Sequence, residues 1–295
     1  MSTIEKAFGN RQQPPAIAPG PFFSAQPPRT GDENVDVDIP FDLLHARGYL
    51  TPVTPRSMTA EEFRTIKRPL LKNIAGESAA RIDNANLVMV TSPLEGDGKT
   101  FCSLNLAMSI AMEQDKTVLY IDADVHKASA GRLLGVPDDA PGLIDILMGN
   151  AEPEHTILNS SMDTLRIMGA GSSHEKATEL LAGERMQQLI QELSTRYSDR
   201  VIIFDSPPLL LTNEASVLAS FMGQIVFVAA ANYTPQYAVQ QALERIGRDK
   251  MVAMMLNKAP LRRFNFFGLG NAYGYGYGYG VREEANSTEA KAATP

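Results

Sequence analysis

The chain has 295 residues, 44% of them hydrophobic, a single cysteine and a formal net charge of −7. That length suits one sizeable α/β domain with extensions; lone Cys102 excludes an internal disulfide framework and fits a reducing cytoplasm, and the acidic balance lacks the footprint of a nucleic-acid binder. No apolar run reaches the roughly 18 residues a membrane span needs, and the start "MSTIEKAFGN" carries no basic stretch followed by an apolar one, so no secretory leader is expected.

Residues 1–57 read as a Pro-rich, largely disordered arm, because "RQQPPAIAPGPFFSAQPPRTG" sustains no periodicity. A helix is expected from "MTAEEFRTIKRPLLKNI", with Thr59 as N-cap, Glu62 three residues on, and Phe63, Ile66 and Leu70 at helical spacing. Pro69 threatens to kink or interrupt it. The rhythm then becomes strand, loop, helix. Strands are expected at 86–92, 116–124, 163–171, 199–208, 223–231 and 250–259. Helices are expected at 99–114, 141–149, 175–197 (one or two), 213–222 and 234–248. Continuous apolar strands alternating with helices imply a mostly parallel sheet with helices on both faces.

"SPLEGDGKT" (92–100) follows the first buried strand and opens a helix, the context a phosphate-binding loop needs. Gly96 and Gly98 permit the tight turn that converges backbone N–H groups on phosphate oxygens. Lys99 supplies a point charge for the β and γ phosphates, Thr100 a hydroxyl for Mg²⁺, and the helix its positive end. Pro93 holds the position where the usual pattern has its first glycine. Two further apolar strands end in acids: "VLYIDAD" in Asp122 and Asp124, "VIIFDSPP" in Asp205. In parallel sheets ligands sit at the carboxyl ends of strands, so these carboxylates project toward the same edge as the loop. A hard cation bridging nucleotide phosphates takes oxygen ligands and keeps waters. Thr100, Asp122 and Asp205 are the candidates for holding it.

These residues, "GDGKT" then "VLYIDADVH" then "VIIFDSPP" then a tyrosine-rich tail, resemble the bacterial tyrosine kinases (BY-kinases), P-loop autokinases with a core similar to the MinD and ParA proteins. The resemblance covers about residues 58–280 and is nearest to the stand-alone cytoplasmic kinases found with exosortase-linked exopolysaccharide clusters. It implies a kinase domain at 58–270 and a flexible tail at 271–295. It also implies ATP and Mg²⁺ as cofactors and ATP contacts from Gly96, Asp97, Gly98, Lys99, Thr100, Phe101 and Asn257. Catalysis falls to Lys99 with Asp122 and Asp124, either of which serves as the base. Where the family's strand motif ends in Arg, this chain has His126, followed by Lys127. Glu61, Arg64 and Lys67 resemble the family's oligomerisation motif, with Lys in place of its last Arg. The implied partners are further copies of the chain in a homo-oligomer of ring type, a membrane adaptor of the polysaccharide co-polymerase type as activator, and a tyrosine phosphatase. The implied location is the cytoplasm, peripheral at the inner face of the plasma membrane through that adaptor.

The tail "NAYGYGYGYGV" sets Tyr273, Tyr275, Tyr277 and Tyr279 between glycines. Such a strip has no core face, and its phenols are expected as phosphate acceptors, each gaining roughly −1.5 to −2 charge at pH 7. The competing reading is a ParA- or MinD-like partitioning ATPase. Those proteins typically begin the loop motif with Lys, where this chain has Leu94. The role of Glu214 stays open at this stage, and His45, His155 and His174 lack metal-ligand spacing.

Overall fold

The computed structural model describes residues 36–196 and 200–260. Seven strands occur among them: β1 (Leu87–Thr91), β2 (Thr117–Asp122), β3 (Leu158–Asn159), β4 (Leu165–Met168), β5 (Arg200–Asp205), β6 (Gln224–Ala230) and β7 (Met251–Asn257). They form one sheet in the order β3-β4-β2-β5-β1-β6-β7. Every pairing is parallel except β3 with β4. The six longer strands lie where the apolar runs predict them. The two-residue β3 is too short to show any periodicity and was not expected.

The helices are α1 (Phe41–Ala46), α2 (Met58–Ile74), α3 (Lys99–Ala111), α4 (Ser129–Leu134), α5 (Leu143–Met148), α6 (Pro153–Thr156), α7 (Ala177–Ala182), α8 (Glu184–Arg196), α9 (Glu214–Phe221) and α10 (Gln236–Ile246). They cover both sides of the sheet, and strand alternation divides the core in two. Leu87, Met89, Leu119, Ile121, Ile202 and Phe204 point to one face and pack with residues of α5 and α7–α10. Val88, Val90, Val118, Tyr120, Val201 and Ile203 point to the other and pack with α2 and α3. Burial of each large side chain stabilises the fold by about 1.5–3 kcal/mol, so both faces must be covered, and the sequence shows this as unbroken apolar strands.

Two expectations are corrected. Residues 36–57, assigned to the arm, belong to the packed body. Val37, Ile39, Leu44 and Leu50 are buried, Asp36 and Val37 donate their N–H groups to Asn159 O at 3.0 Å, and Leu50 N donates to Asn105 Oδ1 at 2.6 Å. Their apolar residues are spaced irregularly, so no period revealed them. Second, α2 is capped by Ser57, whose hydroxyl accepts from Ala60 N at 3.1 Å, not by Thr59. It also runs through Pro69 to Ile74. Burial of Phe63 and Leu70 against α3 and a bond from Gln224 Nε2 to Leu70 O at 3.3 Å hold the helix where local propensity would break it.

Candidate active site

The loop between β1 and α3 is shaped by its glycines. Gly96 and Gly98 have φ of 85° and 96°, a region that side chains rarely adopt. A Cβ on Gly98 would also lie 2.1 Å from Asn257 Nδ2. Asp97, buried, stabilises the turn from within: its Oδ2 accepts from Leu94 N at 2.9 Å and its Oδ1 from Thr234 Oγ1 at 2.5 Å. The loop is also fastened to the ends of β6 and β7. Asn257 Nδ2 donates to Asp97 O at 2.9 Å, and Lys258 Nζ to Gly96 O at 2.7 Å. Asp97 and Asn257, expected to contact nucleotide, therefore bind the loop itself here. Gly98→Ala is expected to weaken binding of an ATP analogue at least tenfold, because it adds both backbone strain and a clash. A calorimetric titration indistinguishable from wild type would contradict this.

Lys99 opens α3 and is buried; its Nζ meets Asp124 Oδ2 at 2.7 Å. Burial works against its charge, but Asp205 and Asp124 outweigh that and hold its pKa above the usual value. Asp122 and Asp205 end adjacent strands and are direct register partners. Neighbouring strands are about 4.8 Å apart, so two carboxylates share one small volume. Asp122 accepts from Gly131 N at 2.9 Å and from Asp124 N at 3.2 Å. Burial nevertheless pushes its pKa up to about 6, and Asp124 adds to the rise. Asp205 is fully buried, and neither carboxylate oxygen has a hydrogen-bond partner. Burial pushes its pKa up to about 7 against the pull of Lys99; Asp122 raises it, while the Thr100 hydroxyl favours the carboxylate without meeting hydrogen-bond geometry. A buried polar atom without a partner is uncommon in a native fold. Beside a lysine and a threonine hydroxyl, it fits a cation or its water shell. Among the described residues no cluster of three or more His, Cys, Asp or Glu could hold a metal ion. Mg²⁺ beside phosphates takes one or two protein carboxylates and keeps several waters.

The segment after β2 is held from two sides. His126 Nε2 lies 3.0 Å from Glu214 Oε1, at the start of α9. The same oxygen accepts the hydroxyl of Thr178 in α7. Burial opposes the charge of Glu214, yet Thr178 and His126 hold its pKa down to about 2. Lys127 pairs with Glu95 at 2.5 Å. The two residues at the place of the family's arginine are thus engaged with carboxylates in this conformation, and Glu214 acquires a role as the anchor of His126. Thr234, Lys258, Thr178 and Glu95 were not singled out from sequence. Thr234, Lys258 and Thr178 lie far along the chain from the segments they fasten and no motif marks them, while Glu95 sits within the loop at a position the motif leaves open.

Of the residues expected to mediate assembly, Glu61 and Arg64 form an ion pair in an exposed part of α2. Lys67 is engaged within its own chain. It is buried, with Nζ 2.5 Å from both Ser109 O and Glu113 Oε1 of its own chain. Its contacts fasten α2 to α3 and the segment that follows. Tyr273, Tyr275, Tyr277 and Tyr279 lie outside the described residues.

A phosphate loop, two acid-ended strands and a parallel sheet in this order can be compared with known proteins. The sequence profile described as an AAA domain matches residues 87–254, more than half of the chain. The chain belongs to the AAA domain family. Among its relatives are bacterial tyrosine kinases. It is 28% identical over 224 residues to the tyrosine-protein kinase YwqD of Bacillus subtilis (strain 168), covering 75% of this chain and 90% of that protein. It is 30% identical over 161 residues to the tyrosine-protein kinase Etk of Escherichia coli (strain K12), covering 55% of this chain but only 22% of that protein. The solved kinase domain of Escherichia coli tyrosine kinase ETK superposes with a TM-score of 0.63 at 26% identity, covering 83% of this chain and 95% of that domain. Among the described residues, no helix is long and apolar enough to cross a membrane.

Proposed function

We propose that the protein is an ATP-dependent tyrosine autokinase that transfers the γ-phosphate of ATP to Tyr273, Tyr275, Tyr277 and Tyr279, between subunits of a homo-oligomer. The observation that carries this reading is the buried, unpartnered carboxylate of Asp205 set between Lys99, Thr100 and Asp122, in a chain whose relatives are tyrosine kinases. Thr100 and Asp205 would hold Mg²⁺, with Asp122 as the neighbouring carboxylate. When bound, that ion neutralises charge on the β and γ phosphates. Lys99, now paired with Asp124, would turn its charge toward the transferring phosphoryl group.

Asp122 is the better base of the two candidates. Burial raises the proton affinity of Asp122 toward the range a general base needs. The phenolic proton passes to Asp122, and the phenol oxygen forms a bond to the γ-phosphorus. The bond from that phosphorus to the β–γ bridging oxygen breaks, leaving ADP. The setting we propose is polysaccharide synthesis or export. A membrane adaptor would activate the kinase at the inner face of the membrane, and a phosphatase would reset it.

Incubation with ATP and Mg²⁺ followed by phosphotyrosine detection tests the reading. A partitioning ATPase would hydrolyse ATP and leave no phosphotyrosine. Changing all four tail tyrosines to Phe is expected to remove most of the label with ATP affinity unchanged, because only the phenol oxygens are lost. Full labelling of that variant would move the acceptor elsewhere.

A further inference from the structure

Glu214 opens α9 and is almost fully buried. A buried charge is tolerated only when it is paired and hydrogen-bonded. Here Oε1 accepts the Thr178 hydroxyl of α7 and faces His126 Nε2 at 3.0 Å. Burial opposes the charge, but these two partners keep the carboxyl ionised, and the positive end of the helix favours it as well. α9 itself is fixed, because Ala215, Leu218 and Ala219 are buried in the core. The segment leading into it is tied to the start of the phosphate loop: Leu209 N donates to Ser92 O at 2.8 Å and Leu210 N to Pro93 O at 3.2 Å. Glu214 is therefore a firm anchor point, whereas His126 sits in a turn with its side chain half-exposed.

The turn after β2 needs an anchor. Lys127 N and Ala128 N both donate to Asp124 O, at 3.0 and 2.6 Å, and Ala128 has φ of 41° and ψ of 44°. A residue with a Cβ is disfavoured in that left-handed region, and it stays there only where its surroundings hold it. Two side-chain contacts bear on the turn. Lys127 and Glu95 are exposed, 57% and 62%, and such pairs contribute little. The Glu214 side chain is only 6% exposed, so the His126–Glu214 contact carries the constraint. The same turn sets the reacting groups: Asp124 N donates to Asp122 Oδ1 at 3.2 Å, and Asp124 Oδ2 meets Lys99 Nζ at 2.7 Å. We infer that Glu214 is a positioning residue for phosphoryl transfer, holding through His126 the turn that aims Asp122 and Asp124. The inference rests on the kinase reading and deepens it. Without the His126 contact the turn relaxes toward ordinary backbone, Asp124 leaves Lys99, and Asp122 loses an N–H that orients it. The phosphate loop keeps its own fasteners, Asp97, Asn257 and Lys258, so ATP binding is spared.

The test measures kcat and KM for ATP on the full chain, by ADP release and by phosphotyrosine. Glu214→Ala and His126→Ala are each expected to lower kcat by about ten- to hundredfold, the scale of loss for a misplaced reacting group, with KM for ATP unchanged. The double variant should be no slower than the slower single one, because both changes break one contact. Glu214→Gln keeps an acceptor oxygen and should recover most of the rate. Thr178→Ala removes the other partner of the same oxygen. It should lower the melting temperature and leave kcat unchanged, an outcome that a purely structural role for Glu214 does not give. A His126→Ala variant as fast as wild type, losses that multiply in the double variant, or a Thr178→Ala variant as slow as Glu214→Ala overturns the inference and leaves the kinase reading standing. If ADP is released but no tyrosine is labelled, the kinase reading fails, and the ADP rates still decide whether Glu214 positions the site.

Discussion

Lys99→Met is expected to lower autophosphorylation by about two to three orders of magnitude, the usual effect of removing one charge that stabilises the transition state. The structure adds a second consequence. Lys99 is the buried counter-ion of Asp124 and also offsets the charge of Asp205. Removing one member of a buried pair typically destabilises by about 3–5 kcal/mol, because the remaining charge has no partner. Protonation of the carboxylates limits that loss, so the variant should recover stability as pH falls from 8 toward 5. For a domain of this size about 1 kcal/mol corresponds to roughly 2–4 °C in melting temperature. Restoring balance with Lys99→Met combined with Asp124→Asn should return most of the lost stability and none of the activity. Melting curves and phosphotyrosine blots of the single and double variants check both halves. A double variant as unstable as the single one would show that the pair does not carry the effect.

The sequence made the sheet legible where burial on two faces forces unbroken apolar runs, as in "LVMVT", "RVIIFD" and "QIVFVAA". The same logic located the site, since acids ending such runs must emerge at the edge where the loop lies. What it hid depends on contacts across the chain. Residues 36–57 pack through scattered apolar side chains with no period, and α4 has only six residues. His126 and Glu214 are 88 residues apart, and no local pattern announces their bond. Thr234 reaches Asp97 across 137 residues. Lys67 carries a motif position on the sequence and an intramolecular role in the fold, because the spacing that matches a motif also places a residue on the face α2 turns toward α3.

Asp205→Asn is expected to cut activity by about two to three orders of magnitude and, without nucleotide or metal, to raise stability. The fully buried carboxylate has no hydrogen-bond partner, and burial raises its pKa from the ordinary value to about 7. A raised carboxyl pKa has a definite sign in linkage: its stability contribution is present below the unfolded-state pKa near 4 and is lost as pH rises through about 7. At pH 8 the wild type therefore carries the whole penalty, on the order of 1.4 kcal/mol per pKa unit. An asparagine amide avoids the charge but keeps an unsatisfied polar group worth about 1–3 kcal/mol, so the net gain should be about 1–3 kcal/mol. It also relieves Asp122, the register partner across the strand pair. Melting temperatures in a chelating buffer should show the Asn variant above wild type at pH 8, with the gap closing between pH 7 and pH 4. Added Mg²⁺ and an ATP analogue should stabilise wild type and leave the variant nearly unmoved. An Asn variant less stable than wild type at pH 8 would mean that the carboxylate is satisfied in solution, and the site would lose the feature that marks it as built for a cation.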